Sequence, residues 1–322
     1  MYYLKGVFSL KNVTITYKSA DKKTTINAIE WSPDDGNPIA ILQIAHGITE
    51  HIGRYEAFAK FMTGKGFAVV CNDHIGHGKS GAEDSPTMYF GPKGSWKYAV
   101  KDLDTLLEIT KAKYPGVPYG ILGFSLGSYL VRTYLIDYPG KVDAAIIMGS
   151  GDKSCAEINV GLLAAWIGKL KDGDDGQSEF IDMLTFSTYN MRFSPKLTEF
   201  EWLCSDRKAL NQYVGDRLRG HFVTPGLFRE MLRGMSYTAN RKNLVKMWRK
   251  LPVLLVSGLD DPVGDFGKGV EKTYASLICA GVRDTTLKLY PGLRHDLLHE
   301  TSHLAVYNDL YGWLSSRLLK AG

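Results

Sequence analysis

Short apolar runs alternate with amphipathic stretches over two parts of this 322-residue chain, and no other feature restricts the possible folds as strongly. Six runs have the length of a buried strand: IAILQIA, FAVVCND, YGILGFS, AAIIMGS, VLLVSGL and TTLKLY. Helix-like segments separate several of them, and Gly or Pro closes each segment. Buried strands that read as continuous apolar runs and alternate with helices indicate a parallel sheet covered on both faces. We therefore predict an α/β fold.

The start of the chain and an interruption of this pattern in its middle suggest how the chain is organised. VTITYKS and TINAIEWSP flank the polar turn ADKKT and predict an opening hairpin. From about Gly151 to Lys250 no clear strand occurs, and helix-like and aromatic stretches follow one another. We predict that residues 1–150 form the first part of the core, residues 151–250 an inserted helical cap, and residues 251–322 the second part of the core.

Composition excludes several classes of protein. A hydrophobic fraction of 44% and a charged fraction of 23% are those of an ordinary soluble domain. No apolar run approaches the ~18 residues of a membrane span, and the first residues lack the apolar region of a signal peptide. The four cysteines are scattered without CxxC spacing, which favours free thiols. We expect a cytoplasmic protein, and the net charge of +5 does not indicate a nucleic-acid partner.

One short run carries a candidate nucleophile. Residues 123–127 read GFSLG, which fits the pattern G-x-S-x-G with Ser125 at its centre. An ordinary glycine-rich bend could have the same five letters, but a strand-like run enters this one and a helix-like run leaves it. Because a nucleophile elbow requires that strand–turn–helix setting, we predict that Ser125 is a catalytic nucleophile.

A serine hydroxyl needs a base, and the base needs an orienting acid. In this kind of fold the expected chain order is serine, acid, histidine, each at the end of a strand. Asp260 and Asp261 follow the strand VLLVSGL, and His295 follows TTLKLY. Each could be an ordinary turn or loop residue, but their order favours a triad. We assign Asp261 rather than Asp260 as the acid, because it lies at the bend directly before Pro262.

The transition state also needs donors for its oxyanion. We predict the backbone N–H groups of Leu126, directly after the nucleophile, and of Ile48, in the loop after the strand IAILQIA. His46 is expected to brace that loop rather than to transfer protons. His74 and His77, like His299 and His303, have spacings that can suggest metal ligands. We interpret all four as structural, and we expect no metal and no cofactor.

The string AHGITEHIGRYEAFAKFMTGKGFAVVCNDHIGHGKS resembles the monoacylglycerol lipase and lysophospholipase branch of the α/β-hydrolases. Members of that branch carry, in this order, a His-Gly, a Glu-His-x-x-Arg-Tyr and an Asp-His-x-Gly-His-Gly-x-Ser block. GFSLG, the Asp-Pro-Val-Gly around Asp261 and the Arg-His around His295 also look like this branch, especially its bacterial members. The resemblance implies an eight-stranded, mostly parallel sheet with a helical cap between strands six and seven.

The predicted function is hydrolysis of lipid-like carboxylic esters of monoacylglycerol or lysophospholipid type, through an acyl-enzyme on Ser125. Fold alone leaves open a small-ester esterase, a thioesterase, an acyltransferase or a proline-type aminopeptidase. A non-catalytic binding protein on the same scaffold would be expected to lack a triad member, and none is missing.

The substrate is expected beneath the cap, whose apolar and flexible side chains suit an acyl chain. We name Trp166, Phe186 and Met191 as candidate substrate-binding residues. Between Arg207 and Lys250, eleven Lys and Arg residues stand against two acidic ones. This usually means a solvated face, and transient contact with an anionic membrane surface through the cap is the alternative. No nucleic-acid partner is expected.

Overall fold

The computed structural model describes residues 11–81 and 87–319, and within them eight strands form one sheet. The strands are β1 (Lys11–Lys18), β2 (Thr25–Ser32), β3 (Ala40–Ala45), β4 (Phe67–Asn72), β5 (Tyr119–Phe124), β6 (Ala144–Met148), β7 (Val253–Gly258) and β8 (Thr285–Tyr290). Their order is β1-β2-β4-β3-β5-β6-β7-β8. The pairs β1–β2 and β2–β4 are antiparallel, and the other pairs are parallel. The predicted, mostly parallel α/β sheet is confirmed.

The helices of the described chain are α1 (Glu56–Thr63), α2 (Trp96–Lys113), α3 (Leu126–Asp137), α4 (Cys155–Asp172), α5 (Glu179–Phe186), α6 (Arg207–Gly215), α7 (Pro225–Ala239), α8 (Arg241–Leu244), α9 (Lys268–Ala280) and α10 (His303–Leu318). Side chains of α1 and α10 pack on one face of the sheet, and those of α2, α3 and α9 pack on the other. Both faces are therefore covered.

The central strand β3 shows why these strands read as continuous apolar runs. Successive side chains of a strand point to opposite faces. Ile41 and Ala45 pack in the layer with α2 and α3, while Leu42 and Ile44 pack in the layer with α1 and α10. All six residues of β3 are buried, so no position along it favours a polar side chain for contact with water.

Residues 151–250, here called the helical segment, connect β6 to β7 and contain α4 to α8 without a described strand. The segment packs on the core through contacts of α7 with α3. Its aromatic stretch EFEWLCS forms turns rather than a helix. There the carbonyls of Trp202 and Leu203 accept hydrogen bonds from the backbone N–H groups of His295 and Asp296, at 3.3 and 2.6 Å. These bonds hold the turns over the ends of the parallel strands.

The four cysteines form no disulfide, as predicted: Cys71 and Cys204 are buried, and Cys155 and Cys279 are exposed. Among the helices in residues 11–81 and 87–319, none combines the length and the apolar character needed to cross a membrane.

Candidate active site

Ser125 lies at a sharp turn between β5 and α3. Its φ of 51° and ψ of −117° are strained for a residue with a side chain. The flanking glycines allow this turn because a Cβ at Gly123 would collide with the carbonyl of Gly127, and one at Gly127 with the carbonyl of Ala45. The close approach of strand, turn and helix thus requires glycine at both positions, and it leaves Ser125 partly exposed.

His295 and Asp261 meet beside this turn. Nδ1 of His295 lies 2.9 Å from Oδ1 of Asp261, and the two side chains are 2% and 0% exposed. Asp261 also accepts hydrogen bonds from the Ser257 hydroxyl and the Val263 N–H, each at 2.8 Å. Burial raises the pKa of Asp261, but His295 and these hydrogen bonds outweigh it and hold the pKa below its ordinary value. The carboxylate therefore stays ionised next to the imidazole.

Ser125 and His295 line the same small cavity. It holds about 20 Å³, and its walls are Ile48, Thr49, Glu50, Phe124, Ser125, Phe186, Trp202, Leu203, Tyr213 and His295. The ring of His295 lies between Phe124 and Trp202, with centroid distances of 4.8 and 5.3 Å. The three predicted triad residues are thus gathered at the carboxyl ends of β5, β7 and β8, as strand order predicts. A cavity of this size has room for about one water molecule, so the site is closed.

The two predicted oxyanion donors belong to residues near Ser125, since Leu126 follows it in the chain and Ile48 lines the same cavity. Leu126 is the first residue of α3, where a backbone N–H has no partner within the helix. Ile48 lies three residues beyond β3, and its loop is held by Glu50, which accepts the Gly47 N–H at 3.0 Å. Since β3 is the neighbour of β5, both N–H groups belong to the same end of the sheet.

Glu50 is part of a buried ionic network. Its carboxylate accepts hydrogen bonds from Arg54 Nε at 2.6 Å and from the Tyr55 hydroxyl at 2.8 Å. Arg54 also bonds Asp296, the neighbour of His295, at 2.6 Å. Burial raises the pKa of Asp296, but His299 and Arg54 outweigh it and lower the pKa well below its ordinary value. The network therefore connects the loop that contains Ile48 to the loop that carries His295.

His46, His74 and His77 form a buried cluster behind the same loop, with centroids of the His46 and His74 rings 4.0 Å apart. His46 bonds the Gly47 carbonyl through Nδ1 at 2.7 Å and accepts the His74 N–H through Nε2 at 3.0 Å. Burial lowers the pKa of His74 to about 3 and that of His77 to about 4. These rings are therefore neutral, and their hydrogen bonds hold the loop in place. In the part of the chain that the structure describes, no group of three or more acidic, His or Cys side chains could hold a metal ion.

His299 and His303 also make local hydrogen bonds. His299 bonds the Asp296 carboxylate through Nδ1 and the Arg54 carbonyl through Nε2, the latter at 3.0 Å. His303 bonds the Glu300 carbonyl at 2.7 Å. Both therefore contribute to the loop that follows His295.

Comparison with known proteins identifies the family. A family model described as "Serine aminopeptidase, S33" (Hydrolase_4) matches residues 36–302. The chain belongs to the Hydrolase_4 family. Two relatives that match most of this chain are the monoacylglycerol lipase of Mycolicibacterium smegmatis and the monoglyceride lipase of Homo sapiens. The first is 26% identical over 89% of this chain and 92% of its own, and the second 27% identical over 91% and 87%.

Solved structures agree on the fold. A carboxyl esterase from Bacillus coagulans in complex with glycerol has a TM-score of 0.87 at 22% identity, covering 96% of this chain and all of its own. A monoglyceride lipase variant from Saccharomyces cerevisiae has a TM-score of 0.74 at 18% identity, with 99% of each chain covered. Together with the Hydrolase_4 match, these structures confirm the predicted α/β-hydrolase fold. The family match and the two lipase relatives confirm the prediction of a carboxylic ester hydrolase.

The structure of this Hydrolase_4 chain does not bring the three predicted substrate-binding residues together. Phe186 lines the cavity at Ser125, whereas Trp166 and Met191 are 57% and 67% exposed and line none of its walls. The structure instead adds Trp202 and Tyr213 to the cavity. Both come from aromatic parts of the helical segment, where no motif distinguishes a site residue from a packing residue.

Proposed function

We propose that this chain is a serine hydrolase that cleaves single-chain, lipid-like carboxylic esters through an acyl-enzyme on Ser125. The observation that carries the proposal is the buried His295–Asp261 pair, whose histidine lines the same cavity as Ser125 on its strained elbow. A hydroxyl, a base with its orienting acid, and two backbone donors are the parts that acyl transfer requires.

In the first half-reaction Ser125 Oγ attacks the ester carbonyl carbon while His295 Nε2 takes its proton. The oxyanion that forms accepts hydrogen bonds from the N–H groups of Ile48 and Leu126, and Asp261 stabilises the imidazolium. The carbon–oxygen bond to the alcohol then breaks, and His295 gives its proton to the departing oxygen. In the second half a water molecule attacks the acyl carbon by the same route, which releases the carboxylic acid and restores Ser125.

We further propose that the helical segment acts as a cap that opens for the substrate. The two relatives named above are called monoacylglycerol and monoglyceride lipases, which makes an acyl glycerol the first substrate class to consider. An acyl chain is far larger than a cavity of about 20 Å³. Phe186 and Trp202, whose stacked rings form part of the roof, are the side chains whose displacement would admit it.

The cap also offers a surface suited to a lipid interface. Apolar side chains that are 44% to 68% exposed extend along α4, α5 and the turns after α5; they are Val160, Leu163, Trp166, Ile167, Leu170, Met183, Leu184, Met191 and Leu197. Within the basic half of the cap, by contrast, Arg207, Arg229 and Arg233 pair with carboxylates. We therefore propose that transient membrane contact uses the apolar face of α4 rather than the basic stretch.

An ester panel tests the substrate class. Each buried methylene contributes about 0.8 kcal/mol, so kcat/KM for p-nitrophenyl esters should rise up to ~4-fold per methylene until the pocket is full. Monoacylglycerols of the optimal chain length should then be hydrolysed, and an N-terminal prolyl anilide should not. A decline from acetate onward, or faster cleavage of the anilide, would contradict a lipid-sized acyl pocket.

A further inference from the structure

Three adjacent spaces, which share wall residues, lie between Ser125 and the surface of the helical segment. The cavity at Ser125 shares Thr49, Phe186, Trp202 and Tyr213 with a second cavity of about 10 Å³, which Arg219 also lines. The second cavity shares walls with an open outer groove of about 690 Å³. Since the first space contains the reacting groups, the second lies where part of a bound substrate would extend.

Arg219 is a buried cation that packs against two aromatic rings. Its side chain is 8% exposed, and its guanidinium lies 4.7 Å from the ring centroid of Phe200 and 4.9 Å from that of Tyr213. Within residues 11–81 and 87–319 no carboxylate forms an ion pair with it, and its buried Nε has no hydrogen-bond acceptor. The buried Arg54 and Arg132, by contrast, both bond carboxylates.

A second buried donor belongs to a residue that lines the same spaces. Trp202 is 4% exposed, lines both cavities, and has an indole Nε1–H with no acceptor among the described residues. Buried donors without a partner are rare because each has lost its hydrogen bonds to water. Two such donors, one of them on a cation, therefore indicate a place for an anion with several acceptor oxygens.

The outer groove has the opposite charge. Its walls include the carboxylates of Glu179, Asp182 and Glu199 against one cation, Lys196, together with the rings of Phe186, Phe200 and Phe222. Asp182 also lines the Arg219 cavity without pairing with it; burial raises its pKa to about 6 against the lowering effect of Arg219. Carboxylates and aromatic rings together favour an ammonium group.

We propose that Arg219 is a specificity-determining residue that binds the phosphate of a lysophospholipid head group. The ammonium of a phosphoethanolamine or phosphocholine group then reaches the acidic outer groove. This inference rests on the proposed function, since it places the alcohol part of the ester next to Ser125. A neutral glycerol head would add no negative charge beside the buried cation, which is why a phosphate is the better occupant. Opening of the roof at Phe186, which lines all three spaces, supplies the room that a phosphate needs.

The substrate test compares two esters with the same acyl chain, lysophosphatidylethanolamine and monoacylglycerol. Wild-type protein should favour the first. Arg219→Gln should lower kcat/KM for lysophosphatidylethanolamine about 10-fold or more, mainly through KM, and change that for monoacylglycerol less than about 2-fold. Arg217→Gln, an exposed neighbour, should change neither. An equal loss on both esters, or no loss on the phospholipid, would overturn the assignment.

A binding test separates this inference from the proposed function and needs no hydrolysis. By calorimetry, glycerophosphoethanolamine should bind the wild-type protein and Arg217→Gln, bind Arg219→Lys with reduced affinity, and fail to bind Arg219→Gln. Glycerol should bind none of them measurably. Glycerophosphoethanolamine that binds wild type no better than glycerol would overturn the role of Arg219. Absence of ester turnover in a protein that still binds it would contradict the proposed function alone.

Discussion

Oδ1 of Asp261 lies 2.9 Å from Nδ1 of His295, and the contact is almost completely excluded from solvent. The Ser257 hydroxyl and the Val263 N–H hold the same carboxylate in place, so its position does not depend on a bound substrate. A carboxylate held in this way keeps the proton of His295 on Nδ1 and leaves Nε2 unprotonated, as the proposed role of base requires.

Replacing Asp261 with Asn should lower kcat by roughly 10⁴, because the imidazole would lose both its tautomer preference and the stabilisation of its cation. Asp260→Asn is the matched control, since that neighbouring side chain is exposed. Steady-state kinetics on one ester would compare the two folded variants. A larger loss in Asp260→Asn would reverse the assignment.

Glu50→Gln should lower kcat about 10²-fold with little change in KM. The side chain accepts the Gly47 N–H next to the predicted oxyanion donor Ile48, so its loss should misplace a group used only in the transition state. Glu56→Gln, an exposed substitution of the same kind, should be silent. If both variants kept wild-type kcat, Glu50 would have no positioning role.

Phe186→Ala should raise kcat/KM for long-chain esters several-fold relative to acetate. Its ring stacks on Trp202 at a centroid distance of 5.8 Å and closes the space above Ser125. Ile278→Ala removes a side chain of α9 that is 43% exposed and lines none of the cavities of the helical segment, so it serves as the control. A ratio of long-chain to acetate activity that does not change would mean that the substrate enters by another route.

Asp182 should make folding stability depend on pH. Burial raises its pKa to about 6 from the ordinary 3.8, so between these values the folded protein binds more protons than the unfolded one. Its contribution to the free energy of unfolding is thus fully present below pH ~4 and is lost as pH rises towards 6. Asp182→Asn should stabilise the protein by about 1 kcal/mol at pH 7, after allowance for partial exposure, and much less at pH 3.5.

Denaturant unfolding of Asp182→Asn and wild type at the two pH values would check this difference. Stabilisation that is the same at both pH values would rule out titration of Asp182 as its cause.

Those parts of the fold that depend on local pattern could be predicted from sequence. The run IAILQIA corresponds to β3 at Ala40–Ala45, and YGILGFS to β5 at Tyr119–Phe124, because both strands are buried on both faces and bounded by turn residues. The turn at Ser125 could also be predicted from sequence, since its glycines and its flanking elements are adjacent in the chain.

Contacts between distant residues could not be predicted in this way. Trp202 covers His295 from 93 positions earlier in the chain, and Arg219 reaches the same region from a stretch with no motif. Val160, Leu163 and Ile167 have helical spacing in α4, but such spacing does not reveal whether a helix face meets the core or solvent. Trp166 is an example. An aromatic residue in an apolar helix could line a binding pocket, but in the structure this side chain is exposed to solvent.

The most direct test of the account is covalent labelling of Ser125. Intact-mass spectrometry after treatment with a fluorophosphonate should show one adduct on the wild-type protein, peptide mapping should place it on Ser125, and Ser125→Ala should remain unlabelled and lose ester turnover. Ser128→Ala is a matched control, because Ser128 is buried in α3 and bonds the Ser125 carbonyl; it should still be labelled at Ser125. An adduct on another residue, or undiminished turnover by Ser125→Ala, would contradict the proposed mechanism.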